Sequence, residues 1–239
     1  MTLAELSSFV CSKTGRTDPD SVARCKEFLS RRYRLIWDSQ LWRDSVLSVT
    51  QSVAIDEQDV TISDLSVDQV IGISWGDEPL EPSAYEQIFS VNPSAFTDRG
   101  NVVGFVHLPK TPAGNARVKL VRKPSEASTI TILAKSALRI IDGNNQFAYR
   151  DLELDPDRAA LRGIDNALIA YAEGDMLTRE RQYGKSQLMY AEGAAHVKVA
   201  IGVERSQAAS NVQITPVYGG EWSRDDWDTT ISYPVKGQL

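Results

Sequence analysis

The chain has 239 residues, of which 42% are hydrophobic and 24% are charged, and its formal net charge is −6. This composition is typical of a soluble protein that buries a core without help from metal ions or disulfides. The acidic balance argues against a dedicated nucleic-acid binder, because such proteins neutralise phosphates with clustered lysine and arginine.

The cysteines and the first residues bear on where the chain folds. Cys11 and Cys25 are the two cysteines, with no CxxC motif, and each falls in a helical pattern typical of a small buried thiol. The start MTLAELSSFV lacks the basic and apolar regions of a signal peptide, and no run of about 18 apolar residues occurs. We therefore expect folding in a reducing cytoplasm and no membrane partner.

Residues 1–45 predict two helices. Thr2 and Glu5 can form a capping box at the start of the first. The second begins with Asp18 as its cap and Pro19 in its first turn, and its apolar stripe ends in the aromatic stretch RRYRLIWDSQLW. We interpret these helices as part of a helical bundle.

The spacing of the apolar residues changes from helical to strand-like in residues 46–150, which we interpret as an inserted β domain. Gly, Pro, Asp and Asn separate short strand-like segments, namely SVLSVTQSVAI, QDVTI, QVIGISW, NVVGFVHL, ARVKLVR and STITILAK. Residues 82–89 favour one or two helical turns between strands. This number of strands predicts a small antiparallel sheet or sandwich.

Helical signals return in residues 151–203, which are expected to complete the bundle. The Asp-Pro-Asp at 155–157 repeats the start at 18–20, so a helix is predicted to begin there. The apolar spacing that follows predicts a hairpin of two helices.

The tetrapeptide YAEG occurs twice in this hairpin, at 171–174 and at 190–193. The two copies are predicted on successive antiparallel helices, interrupted near Gly184, where small residues permit close approach. The alternative is a chance resemblance between two alanine-rich helices, since two copies are too few for a solenoid.

Residues 204–239 are predicted to form an extended C-terminal arm that orders only against a partner. They are polar, with four aromatic candidate anchors: Tyr218, Trp222, Trp227 and Tyr233. The alternative is an arm that folds back over its own β domain. The predicted fold class is therefore α+β, with a helical bundle, an inserted small antiparallel β domain and an extended arm.

Residues that could support catalysis are few. His107 and His196 are the two histidines, they fall in different predicted elements, and no P-loop, GxGxxG or HExxH motif occurs. Four carboxylates could pair as acid and base, namely Asp155, Asp157, Glu173 and Asp175, although helix capping and a solvated face explain them more simply. We expect no catalytic residue, no metal site and no cofactor.

The second helix carries the strongest local signal for nucleic-acid contact. Its basic residues are Arg24, Lys26, Arg31, Arg32 and Arg34. They spread around the helix beside acidic residues, which is more typical of a solvated face.

The order of these segments resembles the head-to-tail adaptor (connector) proteins of tailed bacteriophages. The resemblance lies in the helix ending RRYRLIWDSQLW, in a β insertion with QVIGISWGDEPLEP and VKLVRKPSEASTITILAKSAL, and in the alanine-rich hairpin followed by an arm. The matching framework positions are Leu29, Ile36, Trp37, Trp42, Leu161, Leu168, Tyr171 and Ala191.

This resemblance implies a structural virion protein of the neck, present in the host cytoplasm during assembly. It implies a homo-oligomeric ring, usually twelve-fold, that binds the portal protein, continues the DNA channel and accepts tail or tail-terminator proteins. Genomic DNA would pass without sequence-specific binding, which an acidic wall permits. The family offers no enzymatic residues, and the long aromatic arm is not part of the matched pattern.

Two other classes of function stay open. A ligand-binding β module, for glycans among others, could be carried on a helical oligomerisation stalk, and a solvent-facing aromatic platform would favour it. A hydrolase would instead require paired carboxylates that converge in a cleft.

Overall fold

The structure, a computed structural model, describes residues 1–211 and the side chains up to residue 206. The chain is α+β, as the sequence predicts. Within the described range the α-helices are α1 (Leu3–Thr14), α2 (Pro19–Asp38), α3 (Tyr85–Val91), α4 (Asp165–Arg179) and α5 (Tyr183–Asn211). Among these helices, none is both long enough and apolar enough to cross a membrane.

Short strands fill the middle of the chain. They are β1 (Val46–Val53), β2 (Asp59–Thr61), β3 (Val67–Trp75), β4 (Glu78–Pro82), β5 (Arg99–Gly100), β6 (Gly104–Leu108), β7 (Arg117–Val121), β8 (Lys123–Pro124), β9 (Ser128–Ser136), β10 (Ile140–Ile141), β11 (Phe147–Ala148) and β12 (Arg158–Ala159). Seven of them form one curled sheet in the order β1-β9-β3-β4-β6-β7-β2. The others form a three-stranded sheet, β11-β10-β12, and the pair β5-β8.

The first two helices begin where their local chemistry predicts. The Thr2 hydroxyl accepts from the N–H of Glu5 at 3.2 Å, and the Glu5 carboxylate accepts from the N–H of Thr2 at 2.8 Å, which completes the capping box. Asp18 caps α2 by accepting from the N–H of Ser21 at 2.9 Å. Helix α4 contacts both α1 and α2, so the helices that precede the sheet in the sequence and the helix that follows it are neighbours in space.

The described residues form two large hydrophobic cores and a smaller cluster of Ala95, Phe96, Val106 and Val121. One lies among the helices and is built from residues of both ends of the described chain, including Leu3, Leu6, Val10, Leu29, Tyr33, Trp37, Ile164, Leu168 and Met176. The other fills the curl of the large sheet and includes Val53, Val60, Ile62, Phe105, Val118, Leu120, Ile130 and Ile132. Strands β1 and β9 pair antiparallel from Val46↔Lys135 to Val53↔Ser128, so the chain enters and leaves this sheet on neighbouring strands.

The large sheet is mixed, which corrects the antiparallel prediction at one pairing. Strands β4 and β6 run parallel, with Glu81 opposite Gly104. The reason is the connection between them: α3 and a 3₁₀ turn carry the chain back across, as a parallel pair requires. A side chain at position 104 would place its Cβ 2.7 Å from the Glu81 carbonyl oxygen, so glycine is needed for this close approach.

The Asp-Pro-Asp segment at 155–157 does not begin a helix, contrary to the prediction. Helix α4 begins ten residues after Asp155, at Asp165. The Asp157 carboxylate is fully buried and accepts from Arg150 at 2.6 and 2.9 Å and from the backbone N–H of Leu154 at 2.8 Å. Because it bonds to residues that precede it, this carboxylate closes a turn and leaves no cap for a following helix.

The chain contacts divide it into two units, Met1–Ile201 and Gly202–Leu239. Helix α5 continues to Asn211 and therefore ends later than the predicted position 203. The four aromatic anchors assigned to the arm, namely Tyr218, Trp222, Trp227 and Tyr233, lie outside the described residues. The arm stays a prediction.

We expect Asp157→Asn to lower the free energy of unfolding at pH 7 by about 2 kcal/mol, because Arg150 and two backbone N–H groups lose a charged acceptor. Burial acts to raise the pKa of Asp157, but the bonds from Arg150, Leu154 and Glu153 outweigh it and hold the pKa below its ordinary value. The stabilisation is therefore present above a pH of about 4 and is lost as the pH falls through the lower folded-state pKa.

Urea unfolding at pH 7 and at pH 3 measures this difference, which should shrink at the lower pH. The matched control is Asp151→Asn, which removes the more exposed pair with Arg34 and should cost less than about 1 kcal/mol. Equal losses in the two variants would contradict the assignment.

Candidate functional site

Helices α4 and α5 pair through the two YAEG copies. A Cβ added to Gly193 would lie 2.8 Å from the Tyr171 ring, and one added to Gly174 would lie 2.7 Å from the Tyr190 ring. The tyrosine of each copy thus occupies the space that the glycine of the other leaves open, which makes the helices antiparallel. This reciprocity identifies the repeat as a packing motif and argues against chance resemblance.

Arg32 of α2 completes this contact. Its guanidinium donates to the Asp175 carboxylate at 2.7 and 2.5 Å, and it lies 5.2 Å from the Tyr171 ring centroid and 5.1 Å from that of Tyr190. The Tyr190 hydroxyl donates to the same carboxylate at 2.9 Å. The hydrogen bond to Asp175 raises the pKa of Arg32, so the cation over the two rings is permanent.

We call this group, Arg32, Tyr171, Gly174, Asp175, Tyr190 and Gly193, the tyrosine clamp. It joins three helices, and its two tyrosines were found from the sequence as members of the repeat. The sequence predicted a solvated face for Arg32, and its pairing with Asp175 was missed because the two residues lie 143 positions apart and no local pattern connects them.

The outer face of α5 is exposed and apolar. We define it as Leu188, Ala191, Ala195 and Val199, which recur at helical spacing. Leu188 is 66% exposed and Val199 is 64% exposed, whereas the opposite side of the helix is held by the tyrosine clamp. Single exposed apolar residues are ordinary, but an apolar row with two large exposed side chains on a firmly held helix marks a candidate contact surface.

The framework positions on which the family resemblance rests differ in their burial. Most are buried in the helical core, namely Leu29, Ile36, Trp37, Trp42, Leu161 and Leu168, and Tyr171 is partly buried in the clamp. Ala191 is instead exposed on the outer face of α5.

Five basic residues of α1, α2 and the turn between them form ion pairs with carboxylates from the later part of the chain. The pairs are Lys13–Glu173, Arg16–Glu180, Lys26–Asp155, Arg32–Asp175 and Arg34–Asp151. Each of the four carboxylates considered as an acid or base, Asp157 included, therefore bonds to a cation. These pairs favour a structural use of the charges, although the absence of catalysis stays a prediction.

The two histidines lie in different elements. His107 on β6 contacts the Phe105 ring edge-to-face at 5.3 Å between centroids, and burial lowers its pKa. The Nε2 of His196 on α5 lies 3.6 Å from the Glu192 carboxylate one turn away. Within the part of the chain that the structure describes, no three His, Cys, Asp or Glu side chains are grouped to hold a metal ion.

An aromatic platform lies on the connection between β4 and β6. The rings of Tyr85 and Phe96 stack at 4.7 Å between centroids with 8° between planes, and the Phe89 ring lies 6.4 Å from that of Tyr85. Tyr85 is 43% exposed and Phe89 is 53% exposed. This is the solvent-facing feature that favours a ligand-binding module.

No family model matches the chain, and no curated protein matches it.

We expect alanine to have opposite effects at the glycines of α4 and α5. Gly202→Ala meets no atom within 4 Å and should stabilise the helix by up to about 1 kcal/mol, because alanine favours helix over glycine. Gly174→Ala and Gly193→Ala should destabilise by about 1–3 kcal/mol, because each new Cβ collides with a tyrosine ring.

Thermal and urea unfolding of the three variants tests the clamp. Tyr190→Ala should cost less in the Gly174→Ala background than in the unmodified chain, because there it also relieves the collision with the new Cβ. The clamp is contradicted if Gly174→Ala stabilises the protein as Gly202→Ala does.

Proposed function

We propose that the chain is a structural virion protein, a head-to-tail adaptor that forms a ring between the portal protein and the tail of a bacteriophage. In this proposal α1, α2, α4 and α5 form the bundle, the large sheet is an inserted domain, and the residues beyond α5 form the arm. The ring is twelve-fold, sits in the neck of the virion and continues the DNA channel towards the tail proteins. Genomic DNA passes without sequence-specific binding.

The outer face of α5 is the observation that carries this proposal. A ring subunit must present surfaces that become buried against its neighbours in every copy. Leu188 and Val199 are large apolar side chains exposed on a helix whose other side is fixed by the tyrosine clamp. Such a surface gains free energy when a neighbour covers it.

The connection between helices and sheet also supports the proposal. The large sheet is entered by β1 and left by β9, which pair along their length, so the chain enters and leaves it at one place, as it would an insertion. The net charge of −6 supports a wall past which DNA slides, since like charges do not retain phosphates.

The test is assembly on purified portal protein from the same phage. Mass photometry should show a multimeric adaptor on the wild-type portal complex, and electron microscopy of particles should show a ring beneath the portal. Leu188→Asp combined with Val199→Asp should abolish the complex, because the outer face of α5 then carries charge.

Leu65→Asp is the matched control, because Leu65 is also 66% exposed but lies between β2 and β3. It should leave assembly intact. The proposal fails if the wild-type chain stays monomeric with the portal and particles show no ring. Assembly of the Leu188→Asp and Val199→Asp variant would instead remove α5 as the contact surface.

The second candidate is a glycan-binding β module on a helical oligomerisation stalk, and the aromatic platform favours it. Tyr85 and Phe89 present apolar ring surface to solvent, which can stack on the apolar face of a sugar. The nearby sequence GDEPLEP supplies carboxylates that can accept from sugar hydroxyls.

This candidate predicts retention of the wild-type chain on an immobilised panel of glycans. Phe89→Ala should abolish retention, and Phe9→Ala should preserve it, because Phe9 is a comparably exposed ring on α1. A wild-type chain that no glycan retains would contradict this function.

A further inference from the structure

The large sheet is open between its edge strands, β1 and β2, which are not paired with each other. One side chain of β1 spans the opening. The Gln51 Nε2 donates to the Thr61 carbonyl oxygen at 2.9 Å, and its Oε1 accepts from the Ser63 N–H at 3.3 Å. At this point a carboxamide, and no backbone ladder, joins the two edges.

Gln51 interrupts an apolar row. Along β1, Leu47 and Val49 pack against the core of the sheet and Val53 is buried in it, while Ser48, Thr50 and Ser52 are exposed. Position 51 belongs to the core-facing row by the alternation of a strand. A polar side chain there costs free energy unless it is hydrogen-bonded, so its bonds to β2 account for its presence.

The bonds made by Gln51 have the pattern of a strand residue. Gln58 and Ile62 flank β2 on either side. The Gln58 carbonyl accepts from the N–H of Leu120 on β7, and the Ile62 N–H donates to the carbonyl of Ala116, the residue before β7. The groups of Thr61 and Ser63 therefore point into the opening. In a parallel pair, one residue bonds to a carbonyl of the neighbouring strand and to the N–H two positions later. The Gln51 carboxamide supplies the same donor and acceptor.

The directions of the edge strands agree with an inserted strand. Five of the six pairings from β1 round to β2 are antiparallel and one is parallel, so β1 and β2 run in opposite directions. A strand parallel to β2 is therefore antiparallel to β1. It can pair with both edges.

We propose that this opening accepts residues 229–233 of another copy of the chain as an eighth strand, which displaces the Gln51 carboxamide from β2. Strand addition of this kind takes its affinity from main-chain hydrogen bonds and its specificity from alternate side chains. The inference rests on the proposed ring, because the ring supplies the neighbouring copy.

The sequence of the segment, TTISY, fits the opening. Ile231 and Tyr233 alternate with Thr230 and Ser232, so an apolar face and a small polar face are separated as in a strand that covers a core. Pro234 follows, where a strand ends without needing a further N–H. About 17 residues separate the segment from α5 and span up to about 55 Å when extended, enough to reach a neighbour.

The experiment measures binding of a fluorescein-labelled peptide, DTTISYPVK, by fluorescence anisotropy. The recipient is the full chain with Ile231→Asp and Tyr233→Asp, so that its own segment does not compete. The recipient should bind the peptide. Adding Gln51→Ala should tighten binding about three- to tenfold, because the peptide no longer displaces two hydrogen bonds.

Two controls separate strand addition from a purely structural role of Gln51. Adding Thr50→Ala, on the exposed side of β1, should leave the affinity unchanged. A peptide with Ser232→Pro should lose binding, because proline disrupts the ladder. Failure of the recipient to bind, with Gln51 present and the protein folded by circular dichroism, overturns the proposal, and so does equal binding of the proline peptide.

The source of the strand is tested with the unmodified chain. Mixing it with the recipient should form a complex, and the peptide should dissociate this complex by competing for the opening. If the unmodified chain does not bind the peptide and sediments as a monomer, its own residues 229–233 occupy the opening. That result overturns donation of the strand by another copy. Peptide binding without a ring on the portal rejects the adaptor function alone, and a ring without peptide binding rejects this inference alone.

Discussion

The buried hydroxyl of Tyr33 fixes how the helices meet the sheets. It donates to the carbonyl oxygen of Arg139 and accepts from the N–H of Ala160 at 3.0 Å. Both partners are backbone groups of the chain after it has left the large sheet, and in a buried position such groups must find a partner inside the protein. Burial raises the pKa of Tyr33, so the hydroxyl remains a donor.

The tryptophans at the end of α2 extend this junction. The Trp37 Nε1 donates to the Ser136 carbonyl at 3.3 Å, at the last residue of β9, and the Trp42 Nε1 donates to the Ile36 carbonyl at 2.8 Å. The stretch that the sequence marks as an aromatic end therefore has two uses. Its rings fill the helical core, and its polar atoms satisfy backbone groups where the two cores join.

Local chemistry explains what could be predicted from the sequence. The caps at Thr2 and Asp18 involve residues within three positions of each other, and the alternation of six segments sets the strands β1, β2, β3, β6, β7 and β9. The YAEG copies could also be placed on facing helices, because small residues permit close approach. In each case the necessary information lies within one element or one hairpin.

The features that were missed depend on distant residues. Strand β4 is acidic and proline-containing, and it is a strand because β3 and β6 flank it. Asp157 is a turn residue because its carboxylate accepts hydrogen bonds from Arg150 and from preceding backbone N–H groups, and not from the N–H groups of a following helix. Arg32 and Gln51 have partners that no local period indicates, although the polar residue in an apolar row at position 51 was a usable signal.

Two of the surfaces in the described part of the chain are candidates for assembly, and they are chemically unlike. The outer face of α5 is apolar and gains free energy when covered, whereas the opening at Gln51 offers backbone donors and acceptors to an extended strand. Contacts in which each copy gives one surface and receives at another are heterologous, and such contacts close into a ring when their rotation permits. An exchanged strand would strengthen a ring without enlarging the helical contact, because its attachment to the donor raises the effective concentration of the strand at the opening.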